Sequence, residues 1–441
     1  MNMRKLILGF LGVIAITGFI YAEEPLTLTE EKAVELGMTQ NLSLRSSSLD
    51  YQNSEEEKNN RWNNFLPSFS ASAGVSRKDE FLSTESMQTS GDPWSMSFGG
   101  GISLPLGLTN FYSMEASSLG YEAQSIVYEN NQKSLEASIR KQFKYLLASE
   151  ENVLLKQKSI DLAQKRYEQA LVNFQNGLVS ELNVLQAQNS VELLKPAYQD
   201  VKTAYENQLM AFQNLLGMDL SQRIELQGDL TVTQIELEAQ VLVDTFLTGR
   251  LDVQSSQKNR EILENKEKLL KAGKMAPSLS LSAKWDNGIT SLSEEPSWSD
   301  SATISAYLSV PIDGFIPGSS DRTSINSAGR NVEKSSIQVE NTMNNAEQEI
   351  RSLIMTLEGA WTNIETSELS VELAQKTYEM TEAAYSQGTS ELLDVEDAQN
   401  KLLSAHQDLL LSKYRYLAGI LDMELALNAD INSVMEIRNV Q

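Results

Sequence analysis

Leu162–Asn189 reads LAQKRYEQALVNFQNGLVSELNVLQAQN, and it aligns without gaps, at an offset of 211 residues, with LAQKTYEMTEAAYSQGTSELLDVEDAQN at Leu373–Asn400. Twelve of these 28 paired positions are identical. The same offset pairs Ile139-Arg140 with Ile350-Arg351, and an offset of 210 pairs FLPSFSASAGV (Phe65–Val75) with MAPSLSLSAKW (Met275–Trp285). Self-similarity of this reach is an internal duplication, and it governs every later assignment. Each half follows one order: a helical segment, two short alternating segments, then two long helical segments. The chain accordingly divides into residues 23–220 and 221–441, the second repeat ending in a C-terminal tail.

The short segments alternate with period two. Ser68 to Val75 and Ser278 to Trp285 put apolar residues on odd positions, and Ser95 to Leu104 and Thr303 to Val310 keep the same period. Such alternation makes strands with one apolar and one polar face. The expected strands, about 67–77, 94–105, 277–286 and 300–311, have the length that a tilted strand needs to cross a bilayer. A soluble hairpin with one buried face is the competing reading of these segments. The intervening stretches, from about Lys78 to Pro93 and from Asp286 to Trp298, are polar and rich in turn formers, as in loops outside a membrane. Trp94, Trp285 and Trp298 are expected near the strand ends on that side, where indole suits the water–lipid interface.

The long segments are helical. Helical hairpins are expected over about 113–216 and 321–428, and the first helix of each would extend about 100 Å at 1.5 Å per residue. Val184, Ala187, Val191, Leu194, Tyr198, Val201, Tyr205, Gln208, Phe212 and Leu215 are spaced alternately three and four apart, as are Val395, Ala398, Leu402, Ala405, Leu409, Ser412 and Tyr416. A stripe of period 3.5 is a coiled-coil seam. Pro196 interrupts the first stripe and is expected to kink it, at about 3 kcal/mol for the lost helical bond and ring clash. Pro67, Pro105, Pro277 and Pro311 are expected where helix meets strand, because proline cannot continue a helix and biases its predecessor toward extended backbone. Gly177 and Gly388 mark the turns between paired helices.

The 441 residues include 36 basic and 60 acidic side chains, a formal net charge of −24 that opposes attraction to phosphate backbones and so argues against nucleic acid as a partner. There is no cysteine, which excludes disulfides, thiolate metal sites, cysteine nucleophiles and lipidation of an N-terminal cysteine. His406, the single histidine, sits in a helical pattern with no evident partner. The opening MNMRKLILGFLGVIAITGFIYAEEP has two cations, an apolar run and Ala22 before acidic residues, and reads as a signal peptide over residues 1–22. The run of about 15 apolar residues is short for a membrane-spanning helix, the competing reading.

Taken together, LTLTEEKAVELGMTQNLSLRSSSLD, LPSFSASAG, NGLVSELNVLQAQ and QGTSELLDVEDAQ, in this order and over Leu26 to about Asp430, resemble the TolC family of outer-membrane efflux proteins. The resemblance implies a mainly α fold with β: a long antiparallel coiled-coil α-barrel plus a β-barrel shared by three protomers, four strands from each. It further implies an outer-membrane exit duct extending into the periplasm, part of a tripartite efflux or type I secretion system. Its partners would be two further copies of itself, a periplasmic adaptor, an inner-membrane pump and outer-membrane lipid; no cofactor is implied.

The same resemblance assigns Gly177, Leu178, Val179, Ser180, Gly388, Thr389, Ser390 and Glu391 to adaptor contact, although plain interhelical turns would use the same residues. Asp394 and Asp397 match the family's aspartates at the periplasmic entrance, where three chains would make two stacked carboxylate rings able to favour cations, raise one another's pKa and hold a divalent ion. A solvated acidic face with Glu391 and Glu396 is the competing reading. Tyr385 matches a residue that helps to hold the entrance closed. The chain departs from the family at Ser390, in place of an arginine, and at Asn183, in place of an aspartate, so a closed entrance must use different bonds.

A periplasmic coiled-coil adaptor or structural protein is the alternative function. It leaves the four strands unaccounted for, and the small β-sandwich domains that usually flank an adaptor's hairpin are not evident. An enzyme is not expected: there is no nucleotide-binding glycine loop, histidine metal site or Ser–His pairing.

Overall fold

The computed structural model describes residues 26–77, 94–289 and 298–431. The signal-peptide reading of residues 1–22, most of the two inter-strand loops and the tail beyond residue 431 lie outside the described residues.

A short strand β1 (Leu26–Leu28) leads into α1 (Glu30–Gln40) and α2 (Leu42–Asn59), then β2 (Ser68–Arg77) and β3 (Trp94–Gly107). The helices α3 (Leu108–Gln175) and α4 (Glu181–Leu216) complete the first repeat. The second runs through β4 (Ile224–Leu226), α5 (Ala239–Phe246), α6 (Leu251–Met275), β5 (Ser278–Ile289), β6 (Trp298–Ser309), α7 (Ser320–Ser386) and α8 (Leu392–Leu427). At 68 and 67 residues, α3 and α7 are each about 100 Å long. No described helix is long and apolar enough to cross a membrane.

The four long strands form one antiparallel sheet in the order β2-β3-β5-β6. Its register aligns the apolar positions across every strand, as in the rung Phe69–Ile102–Ala283–Ile304, while Ser68–Ser103–Ser282–Ser305 lines the opposite face. One apolar and one serine-rich face is the pattern of a sheet between lipid and a water-filled lumen. Ile304, Leu308 and Phe69 are largely exposed in the single chain.

Two local expectations are corrected. Trp285 lies inside β5, opposite Gly100 and Ala302, because the ladder continues through Asp286, Asn287 and Gly288 to the pair Ile289–Trp298. Cross-strand pairing overrides the turn preference of those polar residues, and only Trp94 and Trp298 of the three tryptophans stand at strand ends. Pro105 sits within β3 rather than at its boundary, paired to Ser280 on one side. It is tolerated because β2 stops at the rung Ser68–Ser103, leaving that edge of β3 open where the proline lacks its N–H. Pro196 lies inside α4, which continues on both sides of it.

Below the sheet the helices pack side by side, in the order α2-α3-α6-α7 and, farther away, α4-α3-α8-α7. The duplication is visible in two cores. Ile139, Phe143, Leu146, Phe212 and Leu216 form one with Leu28 and Ala33; their counterparts at the repeat offset, Ile350, Ile354, Leu357, Met423 and Leu427, form the other with Leu242 and Val243. Each core lies where a short N-terminal helix of the repeat, α1 or α5, packs on its long hairpin. The parallel β1–β4 ladder, from Leu26–Ile224 to Leu28–Leu226, clasps the chain start to the link between repeats. Tyr416, almost fully buried, holds the rest of that link by donating to the Thr233 carbonyl and accepting from the Ile235 N–H, both at 3.0 Å.

Candidate functional site at the helical tips

The ends of the two hairpins farthest from the sheet hold most of the residues expected to function. Both turns are made the same way. Gly177 and Gly388 have φ of 72° and 75°, left-handed values that glycine adopts without a Cβ penalty. The N–H of Gly177 donates to Phe174 and that of Leu178 to Asn173; likewise Gly388 donates to Tyr385 and Thr389 to Ala384. These paired bonds are Schellman motifs, which satisfy the last carbonyls of a helix.

The helices that follow are capped from within. Glu391 and Asp394 form a reciprocal capping box, in which the Asp394 carboxylate accepts the Glu391 N–H at 3.0 Å and the Ser390 hydroxyl at 2.7 Å. These bonds, the hydroxyl foremost, hold the Asp394 pKa below the ordinary carboxylate value. In the first tip Ser180 precedes α4 and donates to Asn183 at 2.5 Å. Ser390 and Asn183 are thus engaged inside their own turns. Asp397, one turn beyond Asp394, pairs with Lys401 at 2.7 Å and is exposed. Among the described residues no group of three or more acidic or histidine side chains converges to hold a metal within one chain.

Tyr385 is half-buried and joins two small cores, one of Ala170, Val184, Ala187 and Leu392, the other of Tyr378, Val395 and Ala398. It therefore ties the first hairpin to the second by packing. A groove of about 850 Å³ opens between the tips and brings Leu178, Val179, Asn183, Tyr385, Gly388, Ser390 and Glu391 together. Four leucines at this groove, Leu178, Leu182, Leu193 and Leu393, are strongly exposed.

Sequence reasoning missed the polar bonds between hairpins. Arg166 of α3 donates to the Tyr378 hydroxyl of α7 at 2.9 Å with its guanidinium 5.8 Å from the ring centre, and Tyr378 donates onward to Glu382 at 3.2 Å. Burial pushes the Tyr378 pKa up, against the pull of Arg166. Ser190 of α4 donates to the Glu396 carboxylate of α8. The available signal was divergence between copies: at the repeat offset Arg166 faces Thr377, and Glu396 faces Leu185. Leu182 and Leu193 also lie off the seam of Val184, Ala187 and Val191, as a second apolar face would.

The family model of the outer membrane efflux protein matches residues 36–218 and again 242–429. No curated protein sequence matches the chain significantly. Among solved structures, the Campylobacter jejuni CmeC outer membrane channel is similar at a TM-score of 0.73 and 21% identity, over 92% of this chain and 88% of that one. The outer membrane protein VceC of Vibrio cholerae is similar at 0.70 and 16% identity, over 91% and 96%. The open state of the Neisseria gonorrhoeae MtrE outer membrane channel is similar at 0.69 and 18%, over 91% and 89%. These likenesses establish the fold from the sheet to the tips, and the two family matches fall on the two repeats. The chain therefore belongs to the outer membrane efflux protein family, and it is an outer-membrane channel of an efflux system, its long helices reaching into the periplasm.

Proposed function

We propose that three copies of the chain form one passive exit duct, driven by an inner-membrane pump and coupled to it by a periplasmic adaptor that docks at the helical tips. The sheet carries this reading. Its four strands leave β2 and β6 with one unpaired edge each, and open edges are not tolerated in lipid. Three such sheets make a barrel of twelve strands, within the even-numbered range of bacterial outer-membrane barrels. The helical rows are open at corresponding edges, α2 or α4 on one side and α7 on the other, so one three-fold rotation closes sheet and helices together.

At the tips, the groove with Leu178, Leu182, Leu193 and Leu393 offers an adaptor hairpin an apolar seat. Asp394 and Asp397, both exposed, would stand as carboxylate rings at the entrance and favour cations. Closure would rest on Arg166–Tyr378, Ser190–Glu396 and the packing of Tyr385. Cargo recognition falls to the pump, since a wide wet duct makes few specific contacts; small molecules and proteins both suit it.

The test is the oligomeric mass of the purified mature protein in detergent, with single-channel conductance in a planar bilayer. Stable trimers that open discrete pores support the reading. A soluble, non-inserting protein overturns it.

A further inference from the structure

The described residues of the four long strands include four charged side chains, Arg77, Lys284, Asp286 and Asp300. The register sorts them by face. Arg77 and Asp300 have the parity of the apolar face and stand at or near the strand ends farthest from the helices, opposite Trp94 and Asn287. Lys284 and Asp286 have the parity of the serine face, and among the described strand residues they are the only charges on it. Apart from glycines and Pro105, every other described residue of that face is a serine, a threonine or a tyrosine. At the repeat offset of 210 the first half has Gly74 and Ser76 in their places, so each chain supplies the pair once.

Lys284 sits midway along β5, on the rung Ser70–Gly101–Lys284–Thr303, and Asp286 lies on the rung Ser72–Gly99–Asp286–Ser301. The Lys284 Nζ is 3.0 Å from Asp286 Oδ2. Residues two apart share one face of a strand, so β5 alone brings this pair together. Glycine on the neighbouring strand makes room for it: a Cβ on Gly99 would come within 2.8 Å of Asp286 Oδ1, closer than packed atoms approach. The carboxylate therefore lies over Gly99, against the sheet. Both side chains are exposed in the single chain. An exposed ion pair adds little stability, and charges at mid-strand facing lipid are costly. The position of the pair thus points to the water-filled side of the sheet.

We propose that Lys284 and Asp286 form the charge-setting ring of the exit pore: three mutually neutralising pairs, in a lumen otherwise lined by hydroxyls, that keep the wall near zero potential and let cargo of either sign leave. The ring rests on the three-copy barrel proposed above. Strands about 4.8 Å apart and tilted by about 40° give a twelve-stranded barrel a backbone radius of about 12 Å. The four-carbon stem of a lysine reaches roughly half-way to the axis, which brings the axis within about one Debye length, about 8–10 Å, of the charged groups. Three unopposed lysines or aspartates at one level would select by charge, as rings of like charge do. Opposed at 3.0 Å, the two signs largely cancel at the axis.

Because the chain has no cysteine, single reporters can be placed one at a time. Thr303→Cys stands beside Lys284 on the serine face, Ser309→Cys lies about 20 Å along the same face, and Ile304→Cys faces lipid. The purified mature protein, in a neutral detergent at about 0.1 M salt, where the Debye length is about 10 Å, is treated with a cationic or an anionic thiosulfonate, and modification rates are followed by mass. A unit charge several ångströms away in water changes the rate for a singly charged reagent about 3-fold, hence the anionic-to-cationic ratio about 10-fold. At Thr303→Cys, Asp286→Asn is expected to raise that ratio about 10-fold and Lys284→Gln to lower it about 10-fold, and the two together restore the reporter's own value. At Ser309→Cys the ratio should stay nearly constant. Ratios at Thr303→Cys that neither change moves, or that both move in one direction, overturn the ring and leave the barrel standing. A cysteine at Thr303 that resists both reagents while Ile304→Cys reacts puts the serine face outside the lumen, and overturns the barrel and the ring together. Monomers in place of trimers do the same.

Discussion

Replacing Arg166 by Met together with Ser190 by Ala removes two of the polar bonds that join the hairpin α3–α4 to the hairpin α7–α8 near the entrance, leaving the bond from Gln399 to the Ser159 carbonyl. A hydrogen bond to a charged group contributes about 1.5–3 kcal/mol. Arg166 and Ser190 are half-buried, so water competes and each bond is discounted to about 1 kcal/mol. Tyr378 is not orphaned by the change, since its hydroxyl still donates to Glu382. The expected loss is about 2 kcal/mol per chain, which multiplies the ratio of open to closed arrangements by about 30. Each single variant should shift it by about 5-fold, and the double by the product if the bonds act independently. Single-channel recording in planar bilayers reads the shift as greater open occupancy and larger mean conductance. A double variant that assembles normally and records the parent's conductance and occupancy would refute the view that these bonds hold the hairpins together.

Asp394→Asn addresses the cap and, with Asp397→Asn, the rings. The folded pKa of Asp394 is depressed by Ser390 and the Glu391 N–H, so its cap contribution is complete above the unfolded pKa and is lost as pH falls through the folded one. Amide exchange at Glu391 should gain an acid-dependent acceleration in the parent that Asp394→Asn lacks, and the double variant should lose cation preference and block by divalent ions; unchanged conductance properties would remove the rings from the mechanism. A cysteine at Leu178 or Thr389 should crosslink to a co-expressed adaptor, whereas crosslinks formed only far from the tips would argue against tip docking. Ile304→Lys, on the lipid face, should cost about 2–4 kcal/mol near mid-membrane and depress folding into vesicles, while Ser305→Lys on the serine face is tolerated. Equal effects would contradict the assignment of faces.

Much of the tip was legible because its demands are local. A chain reversing between two helices needs a left-handed residue, and Gly177 and Gly388 stand there in both copies. The seam positions Val184, Ala187, Val191, Val395, Ala398 and Tyr416 are buried where the period of 3.5 puts them. What was not legible involves partners distant in sequence. Nothing about Ser390 or Asp394 as residue types says that they bond to each other in a cap rather than across chains. Glu396 reads as one more acidic residue until Ser190, some two hundred residues earlier, is beside it. Trp285 was misplaced because turn-forming Asp286, Asn287 and Gly288 look like a loop, and their strand partners Ser301, Asp300 and Ser299 lie across a connection of undefined register.

The sequence by itself determined the duplication, the strand and helix periods, the apolar face of each strand and the positions of the helix-ending glycines. Each is a property of side-chain spacing against a fixed backbone repeat, 2 residues for a strand and 3.5–3.6 for a helix. Only the tertiary structure decided strand order and register, the helical rows, the β1–β4 clasp and the bonds between hairpins. Periodicity specifies which face of an element avoids water, but many partners could cover such a face. Which one does is settled by the joint packing of elements far apart in the chain, whose contacts leave no local trace in the order of residues.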